Sequence, residues 1–167
     1  MRGNSGFTLI ELVATVVILS VVALITSLFL VMGVESYVVA ADTARSAQAA
    51  HNALDRISLE LKSARGLPGT SQVSLTANSV FSYSSMDPNL PGTRALRQAN
   101  GSLFLSINNV NYLLLENVNA FVLNVEQNDM DGDAANQEIS SINISFRLDG
   151  AATTYSLSVT PRTFIRL

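Results

Sequence analysis

The stretch Gly6-Phe7-Thr8-Leu9-Ile10-Glu11-Leu12, with the uncharged run that follows it to Val34, decides how the whole chain is read. From Leu12 to Val34 there are 23 residues without Asp, Glu, Lys or Arg. As a helix they extend roughly 34 Å, enough to cross the hydrocarbon core of a bilayer. An ordinary secretory signal has an apolar region of about 7–15 residues with a small-residue cleavage site behind it. This run is longer, and Glu11 stands where such a region is most apolar. A plain transmembrane anchor accounts for Leu12 to Val34 but not for Glu11. An acid near the end of a membrane helix costs a few kcal/mol and marks a function unless something compensates it.

On the amino-terminal side lies a short polar segment, Met1 to Gly6, whose one charged side chain is Arg2. The first charges beyond the apolar run, Glu35 and Asp42, are acidic. That asymmetry predicts a single pass with the N-terminus cytoplasmic and the C-terminal domain on the far side of the membrane.

Gly6-Phe7-Thr8-Leu9-Ile10-Glu11-Leu12 resembles the cleavage and methylation motif of type IV prepilins and type II secretion pseudopilins. The resemblance implies that residues 1–6 are a leader removed by a prepilin peptidase, which cuts after Gly6 and methylates Phe7. It implies that Glu11 pairs with the freed amine of a neighbouring subunit. A carboxylate and an ammonium are each unfavourable in hydrocarbon and tolerable together. Many family leaders carry Lys or Arg before the Gly, a place held here by Ser5. The implied partners are the peptidase, an inner-membrane assembly platform, other pilin or pseudopilin subunits, and the lipid bilayer.

Behind the span, Val38, Ala41, Ala44, Gln48, Leu54, Ile57, Leu61 and Ala64 recur at helical spacings and form one mainly apolar stripe. Asp42, Arg45, Asp55, Arg56, Glu60 and Lys62 fall mostly on other faces. His51 reads as a polar residue at the edge of the packing stripe. Lys62 and Arg65 suit a helix C-terminus, Gly66 suits a left-handed cap, and Pro68 forbids continuation, so the helix is expected to run from Phe7 to about Arg65. Such a helix is about 90 Å long. No small domain buries that length, so its first half needs lipid or copies of itself as cover.

After Gly66 the period changes to that of strands. Val73 and Leu75 alternate with polar neighbours, and so do Phe81 and Tyr83. Asn100-Gly101 predicts a hairpin between Arg94–Gln98 and Leu103–Ile107. Asn108-Asn109 precedes Tyr112–Leu115, where the fuller run Leu113–Leu115 suggests a strand covered on both faces. Phe121, Leu123 and Val125 alternate, as do Ile142, Ile144, Phe146 and Leu148 before the turn Asp149-Gly150, and Tyr155, Leu157 and Val159 after it. Met86 to Gly92 reads as a loop. The expected fold class is α+β: a long N-terminal helix packed through Leu54, Ile57 and Leu61 on five to seven antiparallel strands. The expected organisation is a leader at 1–6, a membrane or filament-core helix at 7–34, its amphipathic continuation at 35–66, and a β-rich domain at 67–167.

A second resemblance narrows the first. Leu54-Asp55-Arg56-Ile57-Ser58-Leu59-Glu60-Leu61, Leu114-Leu115-Glu116-Asn117-Val118-Asn119-Ala120-Phe121 and Val159-Thr160-Pro161-Arg162 are similar to segments of J-type minor pseudopilins and W-type minor pilins. Major pilins usually carry a Pro within the membrane helix and often a disulfide-closed loop; Leu12 to Val34 has no Pro and the chain no Cys. The resemblance thus implies a structural subunit in filament initiation or at the tip, in a pilus or a secretion pseudopilus. The alternative is a bitopic membrane-anchored binding or adhesion protein that does not polymerise.

Asn128-Asp129-Met130-Asp131-Gly132-Asp133 places three carboxylates at alternate positions, an arrangement that suits a hard cation such as Ca2+. An EF-hand would need Gly after the third acid and Glu at the twelfth position; Ala134 and Ser140 stand there. Two readings stay open: a looser calcium loop through Asp129, Asp131 and Asp133, with Asn136 or Glu138 helping, or a solvated acidic turn. The formal charge is −3 with no basic cluster, so phosphate neutralisation and nucleic-acid binding have no support. The absence of Cys excludes thiol chemistry and Cys-ligated zinc, and the single His gives no support to a His-based triad. No catalytic set emerges, and no enzyme is expected.

Overall fold

A computed structural model describes residues 8–67, 72–76, 80–87, 92–133, 137–163 and 165–167. The chain divides into two compact units, Met1–Arg45 and Ser46–Leu167.

Helix α1 runs Leu9–Lys62. In the first unit every described side chain from Thr8 to Ala40 is exposed. The helix is long and apolar enough to cross a membrane. Its hydroxyls find acceptors within the helix itself: Thr15 donates to the Leu12 carbonyl, Ser20 to that of Val17, and Thr26 to that of Val22, each at 2.8 Å. A hydroxyl bonded back to its own helix needs no other partner in hydrocarbon.

In the second unit the last turns of α1 bury Ala50, Ala53, Leu54, Ile57, Glu60 and Leu61. Leu54, Ile57 and Leu61 are in the core as the stripe predicts. Gln48 is exposed, whereas Ala50 and Ala53 are buried in its stead. Small side chains there let the helix come close to its neighbours. The helix stops at Lys62, not Arg65, so Gly66 lies beyond its end and does not cap it. The reason is tertiary. Residues Ala64–Arg65 form β1, paired antiparallel with Ser84 and Ser85. The carbonyl of Lys62 accepts the Arg162 N–H at 3.2 Å, and that of Ser63 accepts the Met86 N–H at 2.8 Å. Carbonyls at a helix end need partners, and here distant chain provides them. Pro68 lies outside the described residues.

The strands are β1 (Ala64–Arg65), β2 (Ser74–Thr76), β3 (Val80–Ser85), β4 (Thr93–Ala99), β5 (Ser102–Ile107), β6 (Val110–Leu115), β7 (Val118–Asn128), β8 (Glu138–Leu148) and β9 (Thr154–Val159). They form two antiparallel sheets, with nine described strands where five to seven are expected. One has the order β1-β3-β4-β5-β6 with β2 also on β3; the other is β7-β8-β9. Asn100 and Gly101, at φ 50° and 71°, close the β4–β5 hairpin as the dipeptide predicts. The alternating positions Leu123, Ile142, Ile144, Phe146, Leu148 and Val159 are buried together with Phe81 and Tyr83. Val73 is buried but Leu75 is exposed. Leu113–Leu115 is the clearest misreading: β6 is an edge strand, and only Leu115 of the three is buried.

The C-terminal residues are a strap. Ile165 is buried, its carbonyl accepts the Ile139 N–H at 2.8 Å, and the Arg166 carbonyl accepts the Val73 N–H. Thr163 donates to the Ala64 carbonyl at 3.0 Å. The chain end thereby ties β1, β8 and the approach to β2 into one body.

Candidate functional site

Among the described residues three places are candidates for a site. The first is the start of α1. Thr8 precedes the first helical residue, and its carbonyl accepts the N–H groups of Glu11 and Leu12, each at 3.1 Å. The Glu11 N–H also lies 3.4 Å from Thr8 Oγ1, and that hydroxyl lies 3.5 Å from Glu11 Oε2. This is the Thr-x-x-Glu spacing of a capping box, in which an N-cap hydroxyl and an acid three residues on share the orphan donors of a helix start. Glu11 is exposed there, and its negative charge suits the positive end of the helix dipole. The signal for this was in the sequence, since Thr8 and Glu11 stand three apart at the head of an apolar run. Gly6 and Phe7 lie outside the described residues.

The second place is the acidic loop between β7 and β8. Carboxylate oxygens of Asp129, Asp131 and Glu138 lie within 4.8 Å of one another. Asp133 is not in that group; its backbone N–H donates to Asp131 Oδ1 at 3.0 Å. Asn136 lies outside the described residues. Glu138, at the first position of β8, is fully buried, and it accepts from the Met130 N–H at 3.1 Å and from Arg166 Nε at 2.8 Å. Arg166 also reaches Asp131 Oδ2 at 3.2 Å. Asp129 turns inward to the Gly132 N–H at 2.7 Å, which suits the left-handed Gly132. Much of the repulsion among these acids is thus relieved by a guanidinium from the far end of the chain. Periodicity alone gave no means of seeing Arg166 here, 28 residues beyond Glu138.

The third is a buried ion cluster. Glu60 accepts from Arg94 Nη1 and from Arg56 Nη2, each at 2.6 Å. Glu60 is 5 % exposed and Arg94 2 %. The Tyr83 hydroxyl lies 3.5 Å from Glu60 Oε2. Burial, and after it the nearby Glu60 carboxylate, keeps that phenol protonated far beyond its usual range. Helical spacing sets Glu60, with the other charged residues, mostly off the apolar stripe. The structure corrects this: Glu60 turns to the core because Arg94 on β4 comes to meet it. His51 is exposed at the margin of the packed face, with its ring edge-on to Tyr155 at 5.9 Å between centroids.

Of these three, only the helix start shares residues with a known family signature. A family model described as the prokaryotic N-terminal methylation motif matches residues 1–27. No curated protein and no solved structure matches the chain.

Proposed function

We propose that this chain is a minor pilin or minor pseudopilin, on the premise that its methylation motif and the long apolar helix behind it fit a type IV pilin-like subunit, a structural rather than enzymatic family, anchored by a single membrane pass. One observation carries the reading. A motif for leader removal and methylation is followed by a helix whose apolar side chains, from Leu9 to Val39, are exposed. That much apolar surface is stable only in lipid or against other helices. A subunit that begins in a membrane and ends in a filament core meets both conditions in turn.

In this reading the peptidase cuts after Gly6 and methylates Phe7, with the N-terminus cytoplasmic. The C-terminal domain stands in the periplasm, and an inner-membrane platform hands the helix to neighbouring subunits. Glu11 then receives the amine of an adjacent chain. Its position at the head of the helix, held near the Thr8 hydroxyl, keeps the carboxylate at the terminus where that amine arrives. The place at the filament start or tip rests on the resemblance of three segments to J-type and W-type subunits. N-terminal sequencing and intact mass of membrane-extracted protein test the processing step. The expected mature chain begins at Phe7 and carries one methyl group. A chain beginning at Met1, or beyond Val34, overturns the proposal.

The acidic loop enters as a cation site in competition with Arg166. Asp129, Asp131 and Glu138 would hold Ca2+ through hard oxygen ligands. Arg166 already neutralises two of the three, so the wild-type chain is expected to gain little from calcium. In Arg166→Ala, millimolar calcium should raise the melting temperature relative to chelator. A site binding only the folded state adds about 2.7 kcal/mol at a hundredfold excess over Kd. Coincident melting curves of that variant in calcium and in chelator would remove the cation from the account.

A further inference from the structure

Ile57 and Leu61 of α1 face Leu96, Leu105 and Leu114 of the larger sheet across a narrow gap, which Glu60 also lines. The gap has no room for a water molecule. A void too small for water leaves its lining without partner atoms on one side, so those dispersion contacts are forfeited. Packing under this part of the helix is therefore incomplete, on the side that runs from β4 to β6. The cover of the sheet also stops short there. Phe81, Leu96, Leu105 and Tyr112 lie in register from β3 to β6, with exposures of 0, 1, 3 and 53 %. Val110, which ends the neighbouring row of the same face, is 55 % exposed. A helix lying nearer β6 would fill the gap and bury more of both side chains.

Apolar burial is non-directional and does not by itself choose between such positions. The ion cluster is directional. Glu60 meets Arg94 Nη1 on β4 at 2.6 Å, with both side chains almost wholly buried, and the Tyr83 hydroxyl on β3 lies on the same carboxylate oxygen. A bond of that length is lost once donor and acceptor part by about 1 Å. The carbonyls of Lys62 and Ser63 are tied to distant chain, so the end of the helix stays in place and a roll or tilt about it is the motion left. Any such motion toward β6 draws Glu60 off Arg94 and leaves two buried charges alone, which costs more than the added apolar contact returns.

We propose that the Glu60–Arg94 pair is a latch: it holds α1 in the seating shown, against a second seating nearer β6 in which the gap is closed and Tyr112 and Val110 are covered. The pair thus serves to choose one position of the helix on the sheet. Volume-matched apolar residues in its place keep the chain folded but release the helix. Stability and seating are then separate readouts, and only the second tests the latch.

The chain has no cysteine, so one introduced thiol reports its own exposure. Tyr112→Cys is placed in the full-length chain, with and without Glu60→Leu and Arg94→Met, and its rate of reaction with a maleimide is measured in detergent. Val122→Cys, at an exposed position of the smaller sheet, is the control. The expected result is fast labelling at 112 in the latched chain, a severalfold fall in the unlatched one, and no change at 122. Adding Leu114→Phe, which fills the gap, should restore fast labelling at 112. Circular dichroism checks folding, and the pair Glu60→Gln with Arg94→Gln replaces the apolar pair if that one does not fold. Equal or faster labelling at 112 in a folded unlatched chain, or a parallel change at 122, would overturn the latch. Loss of fold in both pairs would overturn it too, since the helix would then have no second seat.

Discussion

Replacing Glu60 by alanine is expected to destabilise the C-terminal unit by about 3–5 kcal/mol. Arg94 would remain 2 % exposed with its charge uncompensated, and its Nε already has no acceptor. Leaving one member of a buried pair alone costs more than the pair contributes, because desolvation of the survivor is no longer offset. For a unit of this size the loss corresponds to a fall in melting temperature of roughly 10–20 °C. Thermal circular dichroism of the detergent-extracted chain measures it. Two comparisons separate charge from packing. Arg56→Ala should cost about 1 kcal/mol or less, since that partner is half exposed. The double variant Glu60→Leu with Arg94→Met should recover most of the loss, because apolar groups of similar volume often replace a buried pair without penalty. A Glu60→Ala protein within about 1 kcal/mol of wild type would mean that the cluster opens to water.

Glu11→Val is expected to leave membrane insertion unchanged or improved and to reduce entry into filaments by about a hundredfold. The insertion arm follows because an acid is removed from an apolar helix. The assembly arm follows if the carboxylate–amine pair contributes about 2–3 kcal/mol in hydrocarbon, a hundredfold in an equilibrium constant. Co-expression with wild-type filament subunits, shearing, and quantification in the sheared fraction measure it. The capping geometry at Thr8 calls for a control. Glu11→Gln keeps an acceptor at the same helical position but has no charge. If Glu11 serves the neighbour's amine, Gln fails as Val does. If Glu11 only caps its own helix, Gln assembles normally and the pairing role is withdrawn.

The places where sequence and structure part follow one pattern. Local periodicity reads correctly wherever one face of an element is buried along its whole length. This is why Phe121, Leu123, Ile142, Ile144, Phe146 and Leu148 were legible as inward positions. The Asn100-Gly101 turn was legible because its backbone demand is local, two residues at positive φ. Leu113–Leu115 failed because an apolar run looks alike in a central strand and on an open edge. Gly66 failed because the helix end is set by the N–H groups of Met86 and Arg162 rather than by a local cap.

The sequence by itself determined the amino-terminal part of this protein. A processing motif and a membrane-length apolar run are read residue by residue along one helix, and nothing far away in the chain alters their meaning. It also determined the fold class, because the change from a 3.6-residue to a two-residue period is local. Only the tertiary structure decided the division into two sheets, the end of the helix, and the partners of the buried charges. Glu60 meets Arg94 at a separation of 34 residues, and Glu138 meets Arg166 at 28. The physical reason is that a buried charge is tolerated only with its counter-charge, and which counter-charge reaches it is settled by strand order and packing.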